Sequence, residues 1–135
     1  MITRTAQCAC RQLQVEADGE PLRVNVCHCT ECQRRTGSPF GTGAWYPKDK
    51  VRIRGEAKTF VRPIEDRTVT NHFCLTCGGT VLWEASKREG LIAVAVGMFG
   101  DTTFPPPARS IYEESRHPWI SLTGEMEHLP SGPPS

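Results

Sequence analysis

Seven cysteines in three tight clusters constrain this chain more than any other feature. Cys8 and Cys10 form C-x-C. Cys27, Cys29 and Cys32 form C-H-C-x-x-C. Cys74 and Cys77 form C-x-x-C and run straight into Gly78 and Gly79. Close pairs of this kind let one backbone turn aim two thiolates at a single metal ion. Tetrahedral zinc takes four such ligands in a structural site, or three and an exchangeable fourth ligand in a reactive one. Seven thiols divide naturally into a closed set of four and an open set of three.

Zinc is the expected metal. An iron–sulfur cluster is the main competing occupant. A disulfide framework fits less well, because the cysteine count is odd and the N-terminal MITRTAQC has no apolar stretch resembling a signal peptide. A cytoplasmic location is expected. Clustered thiols in a reducing compartment are metal ligands or redox motifs more often than disulfides. No segment approaches the roughly 20 apolar residues of a membrane span, so no membrane partner is expected.

The simplest closed site joins Cys8 and Cys10 with Cys74 and Cys77, leaving Cys27, Cys29 and Cys32 as a compact trio. His28 or His72 could complete that trio. In an extended segment His28 points away from its neighbours Cys27 and Cys29, which favours a packing or hydrogen-bonding role. The formal charge of +1 would become about −2 with seven thiolates and two Zn2+ bound. That balance excludes general nucleic-acid binding, which needs a strongly basic face.

At 135 residues the chain is expected to fold as one domain. Eleven prolines and twelve glycines favour turns and short strands. Strand patterns cover Leu13–Val15, Leu22–Val26, Phe40–Tyr46, Val51–Arg54, Lys58–Arg62, Arg67–Phe73, Thr80–Trp83 and Leu91–Val96. The last is apolar on both faces and should lie centrally. Thr30–Thr36 can hold a helical turn before Gly37. The expected fold is therefore mainly β with minor helix. Residues 1–120 form the domain, and 121–135 form a C-terminal extension that frays over Leu129–Ser135. Trp45, Trp83, Trp119, Met98 and Phe99 are expected in the core, with Trp119 anchoring the C-terminal arm. Glu31 is expected on the solvated surface, although it could shuttle a proton.

Three stretches carry a family resemblance: Cys8-Ala9-Cys10, then Cys27 through Ser38, then His72-Phe73-Cys74-x-x-Cys77-Gly78. Gly43-Ala44-Trp45 and Ile111-Tyr112 through Trp119 extend it. Together they resemble the glutathione-dependent formaldehyde-activating (GFA) enzymes. The resemblance implies a zinc-bearing antiparallel β-sheet domain similar to the Mss4-like fold. It implies two Zn2+ per chain; because three thiolates make a weaker cage than four, partial occupancy is expected at the second. Cys8, Cys10, Cys74 and Cys77 would hold the structural ion; Cys27, Cys29 and Cys32 would hold the catalytic one. The implied activity is that of a carbon–sulfur lyase, forming S-(hydroxymethyl)glutathione from glutathione and formaldehyde. A non-catalytic thiol carrier and a structural zinc interaction module are the alternatives. Arg34 and Arg35, directly after the trio, are the candidate contacts to the anionic thiol. The chain departs from the family pattern at Arg11, where glycine is common, and at Ser110, where histidine is common.

Overall fold

The computed structural model describes residues 1–133. Eleven strands and one short α-helix build it. A three-stranded antiparallel sheet consists of β1 (Thr3–Gln7), β2 (Gln14–Asp18) and β5 (Val51–Arg54), in the order β1-β2-β5. The larger sheet contains β3 (Arg23–Cys27), β4 (Gly41–Pro47), β6 (Ala57–Ile64), β7 (Arg67–Cys74), β8 (Thr80–Ala85), β9 (Leu91–Ala95), β10 (Arg109–Ile111) and β11 (Glu127–His128). Its order is β11-β10-β3-β4-β9-β8-β7-β6. All junctions are antiparallel except those of β10, which runs parallel to both β3 and β11. The helix α1 covers Thr30–Thr36. The fold is mainly β, as the turn-rich composition implies.

The core lies between the sheets. Val15 and Ala17 of the small sheet, with Leu13 just before β2, meet Ala44, Tyr46, Leu82 and Val94 of the large one. The apolar β9 sits inside the large sheet between β4 and β8, with Ile92 to Ala95 all buried. Met98 and Phe99 pack against this core from its edge.

Side chains on successive strand residues face opposite ways. On β4, Ala44 and Tyr46 enter the core, whereas Gly41, Gly43 and Trp45 face a cleft on the other side of the sheet. On β8, Leu82 enters the core and Trp83 faces the cleft. Trp45 and Trp83 are thus half-buried cleft residues rather than core residues. Trp119 is 70% exposed and anchors nothing in the core; it meets the His117 ring edge-on. Its neighbour Ile120 is the buried residue of that arm.

The β1 strand and the pair β10–β11 have no counterpart in the sequence reading. The segment expected to fray is hydrogen-bonded to the domain as far as Ser131, whose carbonyl accepts from Tyr112 N–H at 3.0 Å. Pro134 and Ser135 lie outside the described residues. No helix among the described residues is long and apolar enough to cross a membrane.

Candidate metal centres and the adjoining cleft

The cysteines assemble as four and three. The Sγ atoms of Cys8, Cys10, Cys74 and Cys77 lie within 4.8 Å of one another, and so do those of Cys27, Cys29 and Cys32. The first group joins two turns. One follows β1 and is closed by Arg11 N–H to Cys8 O at 2.9 Å; the other follows β7 and is closed by Gly78 N–H to Cys74 O at 2.9 Å. Cys8–Cys10 and Cys10–Cys74 Sγ separations are 3.7 and 3.5 Å. A zinc tetrahedron with Zn–S near 2.3 Å has sulfur–sulfur edges of about 3.8 Å, so this donor set suits zinc.

Backbone N–H groups of Leu13, Thr76 and Cys77 point at Cys8 and Cys74 Sγ, at 3.3, 3.3 and 3.5 Å. The Gln12 amide adds a 3.2 Å bond to Cys74 Sγ. The N–H of Cys77 is the leading cause that holds the Cys74 thiol down to about 5. Hydrogen bonds donated to the charged form favour that form.

The trio is set by a strand end and a helix start. Cys27 closes β3, paired with Gly41 of β4 and Ile111 of β10. Cys29 caps α1 with extended backbone, and its Sγ accepts from Cys32 N–H at 3.3 Å. C-x-x-C therefore spans the first turn of the helix, which brings both sulfurs to one side. Gly37, at φ 72°, ends α1 in the left-handed region. Hydrogen bonds from Cys27 and Cys32 hold the Cys29 thiol down to about 2, and the contact with Cys29 pushes Cys27 up. Three thiolates this close repel one another. Carrying three charges requires a cation, and the donor set fits one.

Neither candidate histidine completes the trio. His28 is fully buried, with Nε2 on Ser110 Oγ at 2.9 Å and its ring 5.9 Å from Phe40. Burial pushes its pKa down, so the neutral ring is favoured. His72 Nε2 pairs with Glu84 Oε2 at 3.0 Å. Among the described residues, no His, Asp or Glu donor joins the three sulfurs.

The trio lines a cleft of about 750 Å3. Arg35 lies beside it, its guanidinium carbon 4.0 Å from the Trp83 ring centroid. The close approach depends on glycine. A Cβ at position 43 would fall 2.7 Å from Trp83, and one at position 41 would fall 2.6 Å from Arg35 Nη2. Arg34 turns outward instead. It is 74% exposed, 3.5 Å from Glu31, and borders a shallow hollow of about 350 Å3 with Gln33, Ser38 and His117.

Two cleft cations have no signal near the cysteines in sequence. Arg62 of β6 reaches Glu31 of α1, with Nη1 2.7 Å from Oε2 and 3.1 Å from the backbone oxygen. Its buried Nε has no hydrogen-bond partner among the described residues. Arg67 of β7 donates to the Tyr112 hydroxyl at 3.3 Å. Only the folded sheet brings these residues into one cleft with the trio. Glu31 is consequently an ion-pair partner of Arg62 and Arg34, not an isolated surface acid.

The sequence pattern is that of a known enzyme family. The profile of the glutathione-dependent formaldehyde-activating enzymes matches residues 3–115. The chain belongs to this family. A Penicillium rubens protein called "Putative glutathione-dependent formaldehyde-activating enzyme" is 24% identical over 119 residues, which is 82% of this chain. The match spans 62% of that protein's length. A solved Rhodobacter sphaeroides protein superposes with a TM-score of 0.58 at 20% identity, covering 76% of this chain and 91% of its own. At that identity the likeness is one of fold.

Proposed function

We propose that the cleft binds a carboxylate-bearing thiol at the Cys27–Cys29–Cys32 centre and joins its sulfur to a small aldehyde. Glutathione and formaldehyde are the pair that family membership favours, and the chain acts as a zinc-dependent carbon–sulfur lyase in the direction of bond formation. The observation that carries this reading is the opening of a three-thiol centre into a cleft that also holds Arg35, Arg62 and Arg67.

Cys27, Cys29 and Cys32 would hold the reactive Zn2+, and Cys8, Cys10, Cys74 and Cys77 a structural one. A zinc ion in the open centre supplies the positive charge that keeps an incoming thiol deprotonated at neutral pH. The chain's own residues do the rest. Arg35, stacked on Trp83, presents a planar fork to a substrate carboxylate. Arg62, held by Glu31, lines the same cleft and adds positive charge to it. The cleft holds sulfur and aldehyde together, replacing a bimolecular encounter with a positioned one. In the reaction a sulfur electron pair forms the C–S bond, the carbonyl π pair moves to oxygen, and that oxygen takes a proton from solvent. The thiol proton released on binding balances the sum.

Exchange NMR on glutathione–formaldehyde mixtures tests the reading. The zinc-loaded protein is expected to accelerate exchange, and Cys32→Ser to abolish the gain. Exchange at the buffer rate with fully loaded protein removes the catalytic reading. Glutathione binding without acceleration would leave a carrier.

A further inference from the structure

Residues beyond the family match complete the wall of the cleft. Glu127 and Leu129 N–H groups donate to Ala108 and Ser110 carbonyls, each at 2.9 Å. The chain then crosses to the loop after β10. There the N–H groups of Tyr112, Glu113 and Glu114 donate to the carbonyls of Ser131, Leu129 and Pro130 at 3.0, 3.0 and 3.1 Å. Arg109–Glu127 and His128–Glu113 pairs, both at 2.7 Å, fasten the same strap.

The strap bears directly on Tyr112. This residue stands at φ 56°, ψ 42°, a left-handed conformation that a tyrosine keeps only when its surroundings hold it there. Gly132 lies flat against its ring. A Cβ at position 132 would fall 2.6 Å from the hydroxyl oxygen and 3.0 Å from Cζ. The hydroxyl in turn accepts from Arg67 Nη2. Among the described residues the Tyr112 hydroxyl is the one side-chain group hydrogen-bonded to Arg67; Glu65 and Asp66 line the same cleft and act on its charge without forming an ion pair with it. Ser131, Gly132 and Pro133 line the cleft beside it.

We infer that the C-terminal strap is a specificity element: it sets Tyr112, Tyr112 positions Arg67, and Arg67 selects thiols that carry carboxylates. The inference rests on the thiol-binding reading above. Arg35 of α1 and Arg67 of β7 line the same cleft, which offers a cation to each carboxylate of a thiol that carries two.

The test is calorimetric binding of glutathione and of 2-mercaptoethanol, which has no carboxylate, to the zinc-loaded full chain. Zinc content is measured on every sample. Tyr112→Phe and Arg67→Met are each expected to lower the glutathione-to-mercaptoethanol affinity ratio roughly fivefold to tenfold. Gly132→Ala, which presses on the hydroxyl, is expected to do the same, and to add little in the Tyr112→Phe background. Truncation after His128 should reproduce the loss. An unchanged ratio in Tyr112→Phe and Arg67→Met, with both thiols still bound, overturns the strap and spares the thiol site. Wild-type protein that binds neither thiol overturns both.

Discussion

Arg62 and Glu31 are bound through two contacts, one to the carboxylate at 2.7 Å and one to the backbone oxygen at 3.1 Å. They come from β6, the last strand of the large sheet in spatial order, and from the helix that follows β3. The pair therefore ties the outermost strand β6 to the helix that carries Cys32, and Arg62 lines the cleft with the trio. Arg62 is 12% exposed and Glu31 37%, so solvent screens one partner and the energy stays modest. Arg62→Met is expected to cost about 1 kcal/mol, read as a Tm loss of roughly 3 °C. Added salt should shrink the difference between wild type and variant. Equal melting of the two proteins would contradict the bridge.

Arg35 is held by stacking as much as by charge. Lysine keeps the charge but loses the planar fork and the contact with Trp83. Arg35→Lys is expected to raise KM for glutathione about tenfold while zinc content stays at the wild-type level. Steady-state kinetics beside metal analysis checks this. A KM unchanged from wild type would remove Arg35 from substrate contact.

Arg11 occupies the position after C-x-C where the family pattern favours glycine, and it stands at φ 67°. The residue is exposed, and its carbonyl accepts from the Gln14 amide. Relief of left-handed strain outweighs the entropy that glycine adds to the unfolded chain. Arg11→Gly is expected to stabilise the protein by about 0.5–1 kcal/mol, measured by urea unfolding at fixed zinc. Destabilisation would show that the arginine side chain contributes more than the backbone loses.

The small sheet carries a pH-dependent clasp. Arg52 donates two bonds to Asp18, at 2.7 and 2.9 Å, and Thr3 donates a third at 2.8 Å. Arg52 first, then Thr3, hold the Asp18 carboxyl well below the usual carboxylate range. A folded pKa below the unfolded one gives stability that is present above about pH 4 and is lost as pH falls toward the folded value. Asp18→Asn is expected to flatten that acid limb in melts between about pH 5 and pH 2.5. The limb persisting unchanged in Asp18→Asn would assign it to other groups.

Much of the scaffold was legible in the chain because it is local. C-x-C and C-x-x-C each fit one turn, and Cys8 and Cys10 with Cys74 and Cys77 is the simplest closed set that they allow, the grouping that the structure brings together. The continuous apolar run from Leu91 placed β9 inside the sheet, and TECQRRT followed by glycine marked α1. The missed features are long-range or short. β10 has three residues and pairs with β3 more than 80 positions away, so no periodicity announces it. Arg62 and Arg67 sit in polar strands whose partners, Glu31 and Tyr112, are assigned only by the folded sheet. Of the two neighbouring arginines, 34 and 35, the helix turn decides that only Arg35 enters the cleft. Trp83 read as core because a tryptophan on a strand usually is. Gly43, directly beneath it, is the sequence mark of a cleft.

The most direct measurement replaces zinc with cobalt(II) and follows the sulfur-to-cobalt charge-transfer absorption as glutathione is added. Each thiolate ligand adds to that band. The account predicts a saturable rise on glutathione addition, absent in Cys32→Ser, because a fourth sulfur joins Cys27, Cys29 and Cys32. A spectrum that glutathione leaves unchanged in the fully loaded protein would contradict it.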